Sequence, residues 1–583
     1  MTLSIHKAYH QLLKSIAEQL PEKDGALLIL SLMALHSSMG GRFPPVEEVI
    51  PSMQSRFEEL SCQDAYESAS EFCRKIGEIS LSKLMESLND LLQGNSIWTG
   101  LHVMAGALSR REDFELPSDL IEVMFEVLPL PGIGASIYLP WDEAGQLLLY
   151  AGSHQLLPYV EAIESSNIAA MQLICYLDNG VPGDSQVRNS DPVKRPSYVK
   201  NGEPQRFDAC LAMPPVGVKV HRKDIEHDLY DRFQISGNQY HTLAIQHLMW
   251  QTQGPIAVVV SHAFLFASGA DRQLRELLLR QGSIRAVVGL PGGLLNKTQI
   301  SLALLLLDTS PEKNVLEEVV MINAEHPDFS ENLPRNRKGL KNSDVLVSIL
   351  NDGTFHPAAR RVPVQELLQN DCNLVPSRHV LSEQASRAAE LISDMRTMAL
   401  EEVVTIIRPA PVKEKEGSEG YQVYEIGVAD LPDAGYLRTP TKLIRIPKRE
   451  VEKIVVKRED VLLSIKGANR KVGLVSWDIW DSEYGWVIGQ SMCILRCSPH
   501  VLPKFLTMFL RSPIGQQLID QITTGTAIPF VQIKQLRTLK VPVPNLVEQK
   551  KIVALFDKQV EVLKEIRQLE DELSELIPDE WVL

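Results

Sequence analysis

Residues 206–217 read Arg206-Phe-Asp-Ala-Cys-Leu-Ala-Met-Pro-Pro-Val-Gly, an apolar run closed by two prolines. The chemistry open to its closing residues Met213, Pro214, Pro215 and Val216 is limited: a thioether is at best a weak hydrogen-bond acceptor and an isopropyl group has no π face. Further along, residues 438–471 gather Arg438, Lys442, Arg445, Lys448, Arg449, Lys453, Lys457, Arg458, Lys466, Arg470 and Lys471, opposed only by Glu450, Glu452, Glu459 and Asp460. Clustered cations of this kind suit phosphate oxygens, although a charged run is also the ordinary signature of a solvated face. The seven cysteines, at 62, 73, 175, 210, 372, 493 and 497, include no C-x-x-C unit. That pattern argues against a disulfide framework and for buried reduced thiols. Cys493 and Cys497 share a face of a strand-patterned segment without further ligands, so no metal is implied.

The formal net charge of −15 divides unevenly: residues 401–583 hold 25 Lys and Arg against 26 Asp and Glu, and residues 1–400 hold 34 against 48. A polyanion responds to the local patch more than to the sum, so the acidity of the first two-thirds does not exclude a nucleic-acid partner for the last third. A hydrophobic fraction of 44% and a mean hydropathy of −0.06 are those of an ordinary folded protein rather than a disordered or repetitive one. The longest apolar run, Ala26 to Leu35 broken by Ser31, is about half a bilayer span. The N-terminus lacks the basic-then-apolar order of a signal peptide, so the expectation is a cytoplasmic protein without membrane contact.

A chain of 583 residues calls for several domains, roughly three to five. Residues 1–115 read as a helical domain, with amphipathic stretches at His6–Leu20 and Ala26–Leu35. Residues 116–372 are read as one unit: a more irregular stretch through Pro334-Arg-Asn-Arg and Asn351-Asp-Gly closes it, and before that, from about 116 to 310, β-rich runs alternate with helical stretches, the runs being Ala135–Tyr138, Ala209–Ala212, Ile256–Ser261, Ala286–Gly289 and Leu302–Leu307. Such alternation predicts an α/β unit, a mostly parallel sheet with helices on both faces. Residues 373–402 are expected to connect through a long helix, Ser382–Glu402. A polar linker at 411–420 lies within the next unit, 403–547, which returns to short strands and turns. In residues 548–583, Leu563, Ile566, Leu569, Leu573 and Leu576 recur every three or four positions, which fits either a coiled-coil seam or a helix packed on its own domain.

The order of signals in residues 114–308 resembles the modification subunit of type I restriction systems, an adenine-N6 DNA methyltransferase of the class-I, Rossmann-like fold. Phe114-Glu-Leu-Pro117 is similar to that family's F-x-T-P, and Ser136 to Tyr150 to its first strand and D-P-x-x-G-[ST]-G-G loop, where Pro140 and Gly145 match. Residues 207–217 are similar to F-D-x-x-x-x-N-P-P-[FY]-G. The resemblance implies an S-adenosylmethionine cofactor, an Asn amide and a Pro carbonyl that accept from the target amino group, and an aromatic ring that stacks on a flipped-out base. Met213 replaces that Asn and Val216 that ring. In the cofactor loop Leu139 replaces the Asp, Glu143 the first Gly and Gln146 the last, which adds bulk and negative charge where backbone amides must approach a carboxylate. Glu164 and Asp184 resemble the acids that hold the ribose and lie near the adenine ring, so with Pro140 and Gly145 they are the vestige of the cofactor site.

Residues 403–583 resemble half of a type I specificity subunit, one target-recognition domain and one long helix. Arg458-Glu-Asp-Val-Leu-Leu-Ser-Ile-Lys-Gly467 is similar to G-D-[IV]-L-x-[ST]-x-x-G, and Gly525-Thr-Ala-Ile-Pro-Phe, Val541-Pro-Val-Pro544 and Glu548-Gln549-Lys follow in order. Asn373-Leu-Val-Pro-Ser-Arg378 is similar to the joining phrase of fused modification-specificity chains. Such domains present Lys and Arg to phosphates, which makes Lys457, Arg458, Lys466, Arg470 and Lys471 the candidate DNA contacts. Trp477 is read as core. The expectation is a DNA-binding methyltransferase-like pseudoenzyme of a bacterial restriction-like or antiphage complex, without a cofactor. Its partners would be double-stranded DNA and a second copy, or a separate methylase or effector subunit. Two alternatives stay open: an active S-adenosylmethionine-dependent adenine-N6 transferase, and an adaptor that never touches DNA.

Overall fold

The computed structural model describes residues 2–93, 97–108, 116–130, 132–163, 165–180, 186–225, 228–295, 300–310, 316–334, 337–380, 396–408, 421–467, 470–476, 485–524 and 530–575, in two compact units, Met1–Val380 and Leu381–Leu583.

In the first unit, nine strands form one sheet: β1 (Ser136–Pro140), β2 (Leu157–Ala162), β3 (Val187–Asn189), β4 (Ala209–Ala212), β5 (Pro255–Ser261), β6 (Ile284–Gly289), β7 (Leu302–Asp308), β8 (Glu318–Asn323) and β9 (Ala359–Pro363). Their spatial order is β9-β8-β6-β7-β5-β4-β1-β2-β3. Pairs from β3 through β5 are all parallel, β7 runs antiparallel between β5 and β6, and β9 closes the edge antiparallel to β8. The five strands read from the sequence are present. Four more complete the sheet: β2 and β3, which were not expected, and β8 and β9, which lie in the stretch read as irregular.

Successive strand residues serve opposite faces, which is why these strands read as unbroken apolar runs. Ala209 and Leu211 join one core, with α6 (Ser118–Glu126), α7 (Gln146–Ser153) and α8 (Ile168–Asn179). Cys210 and Ala212 join the other, with α9 (Tyr240–Gln251) and α10 (Ala270–Arg280). A sheet wound in both directions from β1 and covered on both sides is the Rossmann-like, class-I frame.

The helices before it are α1 (Thr2–Ile16), α2 (Glu22–Ser38), α3 (Val49–Glu59), α4 (Gln63–Gln93) and α5 (Ile97–Leu108). They share the first core with α6, α7 and α8, so they do not form a separate layer. The expectation of an amphipathic Ala26–Leu35 is corrected here: every residue from Gly25 to His36 is buried, because α1, α4, α5 and α8 surround α2.

The second unit has an antiparallel sheet of β11 (Val404–Ile407), β17 (Met492–Cys497), β14 (Val461–Ser464) and β15 (Val472–Leu474), and a three-stranded sheet of β13 (Lys442–Ile446), β12 (Tyr421–Ile426) and β16 (Trp486–Ile488). The helix expected over Ser382–Glu402 is contradicted at its end: β10 (Thr397–Ala399) pairs antiparallel with β18 (Lys540–Pro542), and a short helix follows at Leu400–Val403. Ladder bonds to β18 and burial of Ala399 override the helical preference of that stretch. Residues 381–395, the linker 411–420, Phe114, Trp477 and Leu576 lie outside the described residues. The terminal helix, Leu546–Glu575, buries Phe556 in its own unit, while Val562, Ile566 and Leu569 are exposed. No described helix is long and apolar enough to cross a membrane.

Candidate functional sites

β1 and β4 are parallel neighbours from which the chain departs in opposite directions, and an open α/β sheet offers its ligand crevice at the carboxyl ends of such a pair. Two loops reach that point, Trp141–Gly145 after β1 and Met213–Gly217 after β4. The first carries the cofactor-loop resemblance and the second the base-pocket resemblance.

Trp141 takes a left-handed backbone, φ 65°, and buries its indole, which donates to Tyr240 Oη at 3.0 Å. Asp142 is buried at the start of α7, where its carboxylate accepts from the amides of Gln146 at 3.0 Å and Leu148 at 2.8 Å. These are two of the orphan donors that make a helix N-terminus attractive to an anion. Burial pushes the Asp142 carboxyl up to about 6, the amide bonds only partly opposing it. Glu143 accepts from the amide of Ile163 at 2.9 Å, just past β2, and its carbonyl accepts from Asn167 Nδ2 at 2.6 Å. Gly145, one of the two retained loop residues, has φ +77° and caps α7, a conformation that favours glycine. Pro140, the other, ends β1. Glu164 and Asp184 lie outside the described residues.

In the second loop Pro214 is buried, Pro215 is half-buried, and the half-buried Met213 and Val216 pack against the core that also contains Leu139 and Ala144. Their side chains thus fill space with apolar contacts. Asp208, the retained acid of the same segment, lies at the opposite end of β4, where it accepts from Ser136 N at 2.9 Å and Ser136 Oγ at 2.7 Å. It pins the starts of β1 and β4 together.

Behind the crevice runs a buried polar chain that the sequence did not reveal. Glu161, wholly buried near the end of β2, accepts from Tyr138 Oη at 2.5 Å, from Ser197 N at 2.6 Å and from Ser190 Oγ. Tyr138 also contacts His247 Nε2 at 3.0 Å, and His247 Nδ1 lies 3.0 Å from Arg232, which pairs with Asp228 at 2.7 Å. Burial raises the Glu161 carboxyl, and burial with the Arg232 charge holds His247 well below its ordinary 6.5. The available signal was one acid within the apolar Leu157-Pro-Tyr-Val-Glu-Ala, since a charge seldom sits in a buried strand without partners.

In the second unit Lys457, Arg458 and Lys466 are exposed. The first two ride on a turn organised by Asp460, which is buried, accepts from Lys457 N at 2.7 Å, and takes two hydrogen bonds from Arg496 at 2.7 and 2.8 Å. Lys471 is half-buried, donating to Leu431 O at 3.2 Å and lying 3.7 Å from Asp433. Arg470 does not suit the contact expected of it: it is 7% exposed and donates to Thr523 Oγ1 at 3.1 Å and to Gly467 O. Its guanidinium closes the turn it belongs to. Gln549 explains another phrase of the resemblance: fully buried, it accepts from Leu502 N at 2.8 Å and donates to His500 O and Pro544 O. Among the described residues no group of three or more His, Cys, Asp and Glu is placed to hold a metal.

Residues 117–388 match the family described as N-6 DNA Methylase, and residues 392–575 the family described as Type I restriction modification DNA specificity domain. The EcoBI specificity subunit of Escherichia coli is 29% identical over 142 residues, 24% of this chain and 28% of that protein. The MjaVII methylase subunit of Methanocaldococcus jannaschii is 23% identical over 299 residues, 47% of this chain and 49% of that protein. The MjaVIII specificity subunit of the same organism is 28% identical over 172 residues, 27% and 36% of the two. The chain thus spans about half the length, or less, of these relatives. A type I methyltransferase subunit from Streptococcus thermophilus superposes with a TM-score of 0.49 at 15% identity, over 64% of this chain and 99% of that one.

Proposed function

The chain joins an N-6 DNA methylase segment to a type I restriction-modification DNA specificity segment, and from that union we propose a DNA-binding pseudo-methyltransferase of a restriction-like or antiphage complex. The observation that carries the proposal is the Asp142 carboxylate on the amides of Gln146 and Leu148. In the resemblance the cofactor is S-adenosylmethionine, whose carboxylate needs free donors and no neighbouring anion. Here a carboxylate of the chain itself takes those donors, and Glu143 adds a second acid beside them. The residues present do not fit the cofactor. Met213 and Val216, in turn, offer an adenine neither an amide acceptor nor a ring.

The second unit supplies the binding. Lys457, Arg458 and Lys466 engage phosphates, with Lys471 a weaker contact because Asp433 competes for it. One recognition domain reads one half-site. A second copy, joined along Leu555, Val562, Ile566 and Leu569, which recur at coiled-coil spacing and are exposed, supplies the other. A separate methylase pairing with the same helix is the alternative source.

Isothermal titration with S-adenosylmethionine separates this function from an active transferase. The proposal expects no micromolar binding. Micromolar binding that is lost in Glu164→Ala supports the transferase instead.

A further inference from the structure

The short helix Pro376–His379 lies against β6 and β8 in the first unit. A Cβ on Gly289, the last residue of β6, would lie 3.4 Å from Pro376 Cγ, so the helix packs directly on the carboxyl end of that strand. Arg378 of this helix is half-buried, and its Nε and Nη2 are shielded from solvent with no hydrogen-bond partner among the described residues. Arg232 and Arg275, buried in the same unit, are by contrast paired, the first with Asp228 at 2.7 Å and the second with the carbonyls of Cys372, Phe264 and Ala267. Burial alone lowers the Arg378 pKa, to about 10, so the guanidinium stays charged at pH 7 with no acid of the described residues raising it. An unpaired charge in that setting costs stability unless something outside the fold completes it.

His262, just past β5, is near enough to sense this charge: burial first and Arg378 second push its pKa down to about 4, which leaves the imidazole neutral. Its amide donates to Ser301 O at 3.0 Å, one step beyond the Ser261 and Leu302 pair of β5 and β7. His262 and Ser301 are therefore cross-strand neighbours, on the face that Val260 and Ala303 give to the core of α9 and α10. Ser301 is buried, and its hydroxyl has no partner among the described residues either. Glu366 is engaged elsewhere, 2.9 Å from Arg360 and 3.9 Å from His379.

A guanidinium, a hydroxyl and a neutral imidazole can all donate, and together they carry one positive charge. A phosphate-type oxyanion suits that set, because two of its oxygens accept from Nε and Nη2 in the fork geometry of a guanidinium while its charge balances the cation. We propose that Arg378, flanked by His262 and Ser301, binds a phosphate-type oxyanion at the carboxyl ends of β5 and β6. Met213 and Val216 pack on the opposite face of the sheet, so the site is independent of the cofactor and base readings.

The test melts the full chain in chloride, acetate and inorganic phosphate at equal ionic strength. Phosphate raises the melting temperature of the wild type more than acetate does. Arg378→Met melts no lower than the wild type in chloride, because it removes an unpaired buried charge, and phosphate no longer stabilises it. Calorimetric titration with phosphate shows the same variant weakened by roughly tenfold or more, the loss of one charge-assisted contact, and Arg378→Lys between the two. Lower affinity of Arg378→Met for a mixed-sequence duplex places the phosphate on a DNA strand, and unchanged duplex affinity places it on a free anion. A lower melting temperature of Arg378→Met in chloride, an equal phosphate response in variant and wild type, or acetate matching phosphate overturns the proposal.

Discussion

The carboxylate of Asp142 accepts a 2.8 Å hydrogen bond from the amide of Leu148, so a residue of the loop after the first strand holds the first turn of the helix that follows it. Removing that acceptor in Asp142→Ala lowers stability by about 1 kcal/mol, the usual net worth of a hydrogen bond. Chemical denaturation followed by far-ultraviolet circular dichroism measures it. An unchanged midpoint would mean that the hydrogen bond does not hold the loop.

Two buried groups give opposite responses to acid. Asp142 has its folded pKa raised to about 6, so its contribution is fully present below the unfolded value of 3.8 and is lost as pH rises through about 6. His247 is held neutral well below 6.5, so an unfolded chain takes up a proton that the folded one refuses, and stability falls as pH drops below 6.5. Melting temperatures measured from pH 4 to 7 separate the two: Asp142→Asn loses the gain on acidification, and His247→Asn loses the penalty.

Asp460 and Arg496 form the two-bond pair under the basic turn, with the Asp460 side chain 2% exposed and that of Arg496 30%. Breaking a buried pair leaves a charge uncompensated at a cost of about 3–5 kcal/mol, and the partial exposure of Arg496 places Asp460→Ala at about 3 or below. Urea titration reads the loss. Arg470→Ala belongs with it as a stability variant, because its guanidinium is spent on Thr523 and Gly467.

Charge reversal at Lys457, Arg458 and Lys466 weakens binding to mixed-sequence duplex and reduces the slope of log affinity against log salt by about one for each phosphate no longer neutralised. Fluorescence anisotropy at several salt concentrations measures both. Lys471→Glu has the smaller effect. An unchanged slope in the triple variant would favour an adaptor that does not touch DNA.

Ile566→Asp with Leu569→Asp places charges on the exposed seam of the terminal helix and converts a dimer to a monomer in light scattering. The helix content stays unchanged, because Phe556 and Gln549 anchor the other end of the helix. A monomer in both wild type and variant assigns the seam to a different subunit.

The α/β frame was legible in the sequence because each interior strand is buried on both faces and reads as an apolar run. β8 and β9 were missed because Pro334-Arg-Asn-Arg and Asn351-Asp-Gly suggested irregular chain. The first ends in Arg337, which pairs with Leu333, and the second is a helix end capped by Gly353 at φ +71°. The helix expected to end at Glu402 gave way to β10, whose pairing with Lys540–Pro542 joins residues too far apart in sequence for periodicity to reveal. At the crevice, sequence located Met213, Val216 and Glu143 but not the role of Asp142. An acid at a position where a family tolerates any residue carries no signal until the helix amides are placed around it. Arg470 shows the same limit, since a cation in a glycine-flanked turn reads alike whether it faces solvent or closes the turn.

Methyl transfer to DNA tests the central claim most directly. Purified chain, bound to mixed genomic DNA at low salt and supplied with methyl-labelled S-adenosylmethionine, is expected to retain the DNA and leave no label on adenine. Label recovered as N6-methyladenine above the level of a denatured control would contradict it.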